Sequence, residues 1–220
     1  MLENVVYFSG VHGSGKSTLL KELAKKEGFL EHIRIHSVKL DGTYIRSVWR
    51  LTKYYIEAME QEKMSQRNPH SLILGNRCVY DNFAYINAFV SLGWISKEDA
   101  KHHSEVFNAL FQNWMRPQLI VYIAPSIDWV TERLRERWSK GEKKWREDDV
   151  NYLDAVIKAY DQLYRTPSFF NLDVFRLEET NLERRVELVQ TGIKRMKEQP
   201  PYELSPQLIT CSQLCQNKRQ

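Results

Sequence analysis

Cysteine is scarce in this 220-residue chain, which has three: Cys78, Cys211 and Cys215. So small and odd a number excludes a disulfide framework and points to a reducing compartment, the cytoplasm by default. Cys211 and Cys215 lack the second pair of ligands that a zinc site needs, so plain thiols are expected. No apolar run approaches the ~18 residues of a membrane span. The opening MLENVVYFSG has no basic segment ahead of its apolar stretch, so neither secretion nor a membrane partner is expected. Dominant charge of one sign is also missing: 32 Lys+Arg against 28 Asp+Glu leave +4. That mild excess suits anionic ligands but falls short of the basic footprint of a duplex-DNA binder, so nucleic acid is a disfavoured partner. Hydrophobic residues at 42 % and charged residues at 27 % lie close to globular averages and exclude wholesale disorder and fibrous folds. At about 150 residues per domain the length favours a single core, and a homodimer is left open.

Short strand-like runs alternate with helical periodicity. Val5-Val6-Tyr7-Phe8 forms a strand, a glycine-punctuated loop follows, and Leu19, Leu20, Leu23 and Ala24 recur at helical spacing before Gly28. A second strand is expected over residues 33–38, followed by a long helix over about 45–63 that Asn68-Pro69 breaks. The third is expected over residues 77–81, the fourth over 119–123 and the fifth over 174–177, leading into a charged helix over about 182–197. Leu119-Ile120-Val121-Tyr122-Ile123 is apolar throughout, as suits a strand buried on both faces. Alternation of this kind implies an α/β fold, a parallel sheet with helices on both faces. Pro200-Pro201 closes the last helix, which divides the chain into a domain over 1–199 and an aperiodic tail over 200–220.

Gly10-Val11-His12-Gly13-Ser14-Gly15-Lys16-Ser17 fits G-x-x-x-x-G-K-[ST] between the first strand and its helix. Glycines let the backbone curl so that successive N–H groups face a phosphate, and the helix N-terminus adds its positive end. Lys16 can reach the β- and γ-phosphates, and the Ser17 hydroxyl can bind Mg²⁺. Thr18 extends the helix start beside the α-phosphate, and His12, in the variable part of the loop, is assigned no chemistry of its own. A plain turn would need neither Lys16 nor Ser17. ATP and Mg²⁺ are therefore the expected donor and cofactor.

Asp81 is expected at the C-terminal end of the third strand, on the edge where Gly10 begins the loop, placed to hold Mg²⁺ or to accept a proton. Neither Asp-x-x-Gly after a strand nor Asn-Lys-x-Asp before the last helix is present; Asn217-Lys218-Arg219-Gln220 lacks the Asp, so guanine specificity is unsupported. Residues 133–146 hold seven positive charges against two negative. Arg133 and Arg137, four apart, share a helical face, and Gly141 suggests a flap. A lid over about 133–148 would close these arginines on a transferring phosphoryl group and exclude water.

With these residues assembled, the chain resembles the P-loop nucleoside and nucleoside-monophosphate kinases, particularly the thymidylate kinase and deoxynucleoside kinase branch, over residues 4–164. The stretch from Arg116-Pro117 to Ile123 is similar to that family's fourth strand, 132–137 to its lid start, and Tyr152-Leu153 with Tyr160 to its post-lid helix. The resemblance implies a P-loop NTPase three-layer fold with a five-stranded parallel sheet of order 2-3-1-4-5 and a helical lid. It places Asp41-Gly42-Thr43 and Arg46 near the acceptor, where Trp49, Tyr54 and Tyr85 are candidates to stack on a base. One departure is evident: the family follows its third strand with Asp-Arg, whereas Asp81 is followed by Asn82, and Arg77 is expected at the strand's far end. The expected activity is Mg²⁺-dependent transfer of the γ-phosphoryl of ATP to a small-molecule acceptor, a nucleoside monophosphate or deoxynucleoside. Lys16, Asp81, Arg133 and Arg137 would be its catalytic residues. A kinase for another small molecule or a polynucleotide 5′-hydroxyl, or an ATP-binding switch with a macromolecular partner, uses the same loop and remains open.

Overall fold

The computed structural model describes residues 2–35, 38, 40–111, 117–142, 146–165 and 174–197. The tail over 200–220, with Cys211 and Cys215, and the middle of the expected lid, 143–145, lie outside the described residues. Five strands, β1 (Leu2–Ser9), β2 (Phe29–Glu31), β3 (Leu72–Asn76), β4 (Pro117–Ile123) and β5 (Val174–Leu177), pair in parallel in the order β2-β3-β1-β4-β5. The helices are α1 (Lys16–Ala24), α2 (Thr43–Arg67), α3 (Asp81–Ser91), α4 (Lys97–Phe111), α5 (Ile127–Ser139), α6 (Val150–Arg165) and α7 (Leu182–Lys197). This is the P-loop NTPase fold with the strand order the resemblance implies. No helix among the described residues is long and apolar enough to cross a membrane.

Two-residue periodicity of the strands divides the interior in two. Val5, Tyr7, Ile73, Ile120 and Tyr122 face one side and pack with α2, α3 and α6. Val6, Phe8, Leu74, Leu119 and Val121 face the other, against Leu19, Leu20 and Leu23 of α1 and Val189 of α7. Val5, Val6 and Phe8 are fully buried, each stabilising the sheet by roughly 1.5–3 kcal/mol. With both faces covered, the strand ends are the free edge, and the C-terminal end of β1 feeds the glycine loop.

Two strands fall elsewhere than their composition suggests. β2 occupies 29–31, not 33–38, because Phe29, Leu30 and Glu31 pair with Leu72, Ile73 and Leu74. Beyond Glu31 the chain leaves the sheet: Ile33 is 86 % exposed, and the Ile35 N–H donates to Glu57 Oε1 at 2.9 Å instead of to a strand. β3 ends at Asn76, before the expected 77–81. Its Gly75 looks like a breaker in sequence but lies where the Tyr7 ring crosses the sheet; a Cβ there would come within 2.6 Å of Tyr7 Cδ1. Arg77, at φ 76°, ends the strand. Asp81 is consequently the first residue of α3, and Arg77, not Asp81, stands at the strand's C-terminal edge.

Tyr7 cannot swing away, since its hydroxyl donates to Gln61 Oε1 at 2.6 Å in the buried interior. Gly75→Ala is expected to cost about 1–3 kcal/mol by overpacking, a fall of roughly 2–4 °C in Tm per kcal/mol for a domain of this size, measured by thermal unfolding.

Candidate active site

The loop between β1 and α1 closes on itself through Lys16. Its buried ammonium donates to the carbonyls of Gly10 at 2.9 Å and Val11 at 2.6 Å and to Ser14 Oγ at 2.9 Å. Burial first, then the neighbouring Arg77, hold that ammonium well below its ordinary range, with Asp81 opposing the shift. Gly15 caps α1 at φ 85°. A Cβ there would meet Arg185 Nη1 at 2.7 Å, so glycine serves both the left-handed turn and the close approach. Arg185, buried on α7, donates through Nη1 to Ser14 O at 3.0 Å and through Nε to Glu179 O. Burial and Arg133 push its guanidinium down to about 10. Its guanidinium lies 4.9 Å from the Trp129 ring centroid, and that of Arg133 lies 4.7 Å from the same ring.

A cavity of about 540 Å³ opens over the loop. His12, Gly13, Gly15, Lys16, Ser17 and Thr18 line its floor, joined by Arg34, Asn76 and Arg77 from the ends of β2 and β3 and by Arg133 and Arg137 from α5. The structure thus brings the glycine loop and both expected lid arginines to one space. Ser17 Oγ accepts a hydrogen bond from Asn76 Nδ2 at 3.1 Å.

Asp81 does not line this cavity. Its carboxylate is fully buried, 3.3 Å from Arg77 Nη1, and accepts from the Tyr164 hydroxyl at 3.0 Å. Arg77 Nη1 also donates to Gly10 O at 2.9 Å and to the Tyr160 hydroxyl at 2.6 Å. With the corrected strand end, the arginine expected directly after the third strand is present as Arg77, and the departure from the family's Asp-Arg is Asn76 in place of Asp. Cys78, beside Asp81, is a buried thiol pushed up to about 12 by burial and by that carboxylate, which makes it inert.

The four residues assigned to the acceptor lie outside the cavity lining. Asp41 is exposed, and Arg46 Nε donates to the Leu40 carbonyl. Trp49 is half-buried with an unpartnered indole N–H. The Tyr85 ring is buried with the Arg50 guanidinium 4.3 Å from its centroid, so that face is covered; Tyr54 is likewise core. Arg34, Asn76, Arg77 and Arg185 were not singled out by sequence pattern as site residues. Arg34 and Arg77 follow strands whose ends the pattern misplaces, and Arg185 arrives from 171 positions away.

His12 links the loop to the segment expected to form the lid. Its Nε2 lies 3.1 Å from the Tyr152 hydroxyl and 3.2 Å from that of Tyr85, and its Nδ1 lies 3.8 Å from Glu147 Oε1. Glu147, 1 % exposed, pairs through Oε2 with Arg137. Burial, then Arg77 and Lys16, hold His12 well below its ordinary pKa, so the ring is neutral at pH 7.

The deoxynucleoside kinase family profile matches residues 7–198. The chain is 23 % identical over 163 residues to the deoxyguanosine kinase of Bacillus subtilis (strain 168), covering 71 % of this chain and 76 % of the relative. It is 25 % identical over 201 residues to a thymidylate kinase of Leptospira interrogans serogroup Icterohaemorrhagiae serovar copenhageni, covering 86 % and 95 %. Among solved structures, the deoxyadenosine kinase from M. mycoides with bound dATP shares the fold at a TM-score of 0.65 and 16 % identity, over 86 % of this chain and 99 % of that one.

Glu147→Gln should leave Arg137 without its counter-charge. The expected loss is about 1–3 kcal/mol, below the 3–5 kcal/mol of a fully buried pair because the guanidinium is partly in water. Denaturant midpoints measure it, and adding Arg137→Gln to Glu147→Gln should recover part of the loss.

Proposed function

The chain belongs to the deoxynucleoside kinase family, and we propose that it transfers the γ-phosphoryl of ATP, with Mg²⁺, to a nucleoside or nucleotide acceptor. It is a P-loop kinase, an enzyme that phosphorylates nucleosides or nucleotides. The observation that carries the proposal is that Lys16, the loop and both lid arginines, Arg133 and Arg137, face the same cavity.

The donor's phosphates lie along the loop from Gly10 to Thr18, met by backbone N–H groups and by the α1 N-terminus. Lys16 exchanges its carbonyl partners for phosphate oxygens, and the charge it gains there offsets the cost of its burial. Among the side chains, the Ser17 hydroxyl would hold Mg²⁺; accepting from Asn76 at 3.1 Å orients it and leaves a lone pair for a cation. Mg²⁺ takes most of its ligands from phosphates and water and needs one or two protein oxygens, so this donor set fits. When bound, it neutralises charge on the β- and γ-oxygens. Arg133 and Arg137 reach the migrating phosphoryl from the lid, stabilising its equatorial oxygens and excluding water. Asp81 acts indirectly here: with Tyr160 and the Gly10 carbonyl it fixes Arg77.

Lys16→Ala is expected to abolish both ATP-induced thermal stabilisation and transfer. Arg137→Ala should keep ATP-induced stabilisation while lowering kcat by about 10²–10³. Thermal shift with ATP and a label-transfer assay measure the two separately, and parental transfer by Lys16→Ala overturns the proposal.

A further inference from the structure

Ser14 is held from two sides. Fully buried, it accepts at Oγ from the Lys16 ammonium at 2.9 Å and at its carbonyl from Arg185 Nη1 at 3.0 Å. Only the second bond lasts through donor binding, because Lys16 must leave the Gly10 and Val11 carbonyls and Ser14 Oγ to meet a phosphate. That exchange removes three bonds from inside the loop while its curl has to persist. Two contacts from outside survive it. Arg77 Nη1 stays on the Gly10 carbonyl at 2.9 Å, from the end of β3, and Arg185 stays on the Ser14 carbonyl, from α7.

Arg185 is an expensive residue to place there. It is 1 % exposed and lies outside the cavity lining, so it acts on a ligand through the loop. No carboxylate is paired with it among the described residues: it donates to the carbonyls of Ser14 and Glu179, and its Nη2 is unpartnered. Like charge stands beside it, since Arg133 shares the Trp129 ring. Burying a guanidinium without a counter-charge costs stability, and a methionine would fill the same space without that cost.

The geometry shows where the charge acts. A trans peptide sets its C=O and N–H on opposite sides, so a Ser14 carbonyl turned to Arg185 sends the Gly15 N–H the other way, toward the cavity that Gly15 lines. A charge-assisted bond to that carbonyl also polarises the peptide and strengthens its N–H as a donor. Glycine at 15 permits the approach, since a Cβ there would meet Arg185 Nη1 at 2.7 Å. Even pushed down to about 10, the guanidinium is charged near neutral pH.

We propose that Arg185 is a positioning residue for the phosphate donor: from behind the loop it fixes and polarises the Ser14–Gly15 peptide, so that the Gly15 amide meets the donor's phosphates. This rests on the ATP-kinase reading above and adds to it a residue that touches neither donor nor acceptor. Because the bond is present before, during and after transfer, it contributes to donor affinity and not to the chemical step.

Titration calorimetry gives the ATP affinity of the full chain and its variants. Transfer from γ-labelled ATP, with Mg²⁺, to the acceptor used best in a panel of deoxynucleosides and nucleoside monophosphates gives kcat and KM. Arg185→Gln should weaken ATP binding and raise KM for ATP by about 10- to 100-fold, the size of a lost hydrogen bond to a charged group, while kcat stays within about threefold. Arg185→Met, which fills the space without charge, should behave alike and serves if Arg185→Gln does not fold. Arg185→Lys should recover part of the affinity, and Arg184→Gln, on an exposed neighbour paired with Glu187, should leave both constants unchanged. A purely structural role gives another pattern: a lower Tm and fewer active molecules at parental KM and ATP affinity. That pattern overturns this inference and leaves the kinase reading standing, as does equal ATP affinity in Arg185→Lys and Arg185→Met. Neither ATP binding nor transfer in the parental chain overturns both.

Discussion

Lys16 turns its ammonium onto the Gly10 and Val11 carbonyls, and no ion pair to it is seen among the described residues. The same solution recurs around it. Arg77 leans on the Gly10 carbonyl and the Tyr160 hydroxyl, and Arg185 on the carbonyls of Ser14 and Glu179. Neutral oxygens orient Lys16 and Arg185 without cancelling their charge, whereas Arg77 is also paired with Asp81 at 3.3 Å, so the positive potential of the first two stays available for a ligand. Carboxylates in the same places would satisfy the guanidinium groups better and would remove the reason for an anion to enter. Among the described residues, the buried carboxylate that touches this set is Asp81, which stands beside Arg77 and fixes its position.

That restraint explains the tyrosines. Tyr160 and Tyr164 bring hydroxyls to Arg77 and Asp81 from α6, while their rings fill the core between α3 and the sheet. A phenol packs like a hydrophobe along its body and ends in a hydrogen-bonding tip, so one residue seals the interior and orients a charge. Tyr85 and Tyr152 do the same for His12. Because Tyr152, His12, Glu147 and Arg137 form a continuous chain of contacts, the glycine loop and the segment expected to form a lid share a support.

Legibility in the sequence followed the range of the forces. The glycine loop was readable because its constraints are local: backbone curvature, a lysine and a hydroxyl at fixed offsets. β1 and β4 were readable because continuous apolar runs have few alternatives, and β5 because Val174, Phe175 and Leu177 stand just ahead of a charged helical segment. β2 and β3 were not. Ile33 and Ile35 alternate as a strand would, yet β2 pairs with β3 only as far as Glu31, while β3 continues beside β1 to Asn76. Gly75 and Asn76 carry turn chemistry but sit in a strand because the Tyr7 ring needs the space. A shift of a few residues moved Arg77 from the wrong end of a strand into the site and removed Asp81 from the edge. Acceptor residues suffered most, since Asp41, Arg46, Trp49 and Tyr85 were placed from a cleft whose walls depend on those strand ends. Arg185 had no local signal at all; only the packing of α7 beside α1 brings it to Ser14.

Strand order then fixes where each cation stands along the edge. In the sequence β2-β3-β1 the C-terminal ends of adjacent strands stand ~4.8 Å apart, so β1 presents the donor loop, β3 presents Asn76 and Arg77 beside it, and β2 presents Arg34 one strand further out. Arg34, 31 % exposed at its side chain and 3.7 Å from Glu57 Oε1, thereby adds a cation to the edge that Lys16 and Arg77 already line, and the field it contributes favours an anion in the cavity.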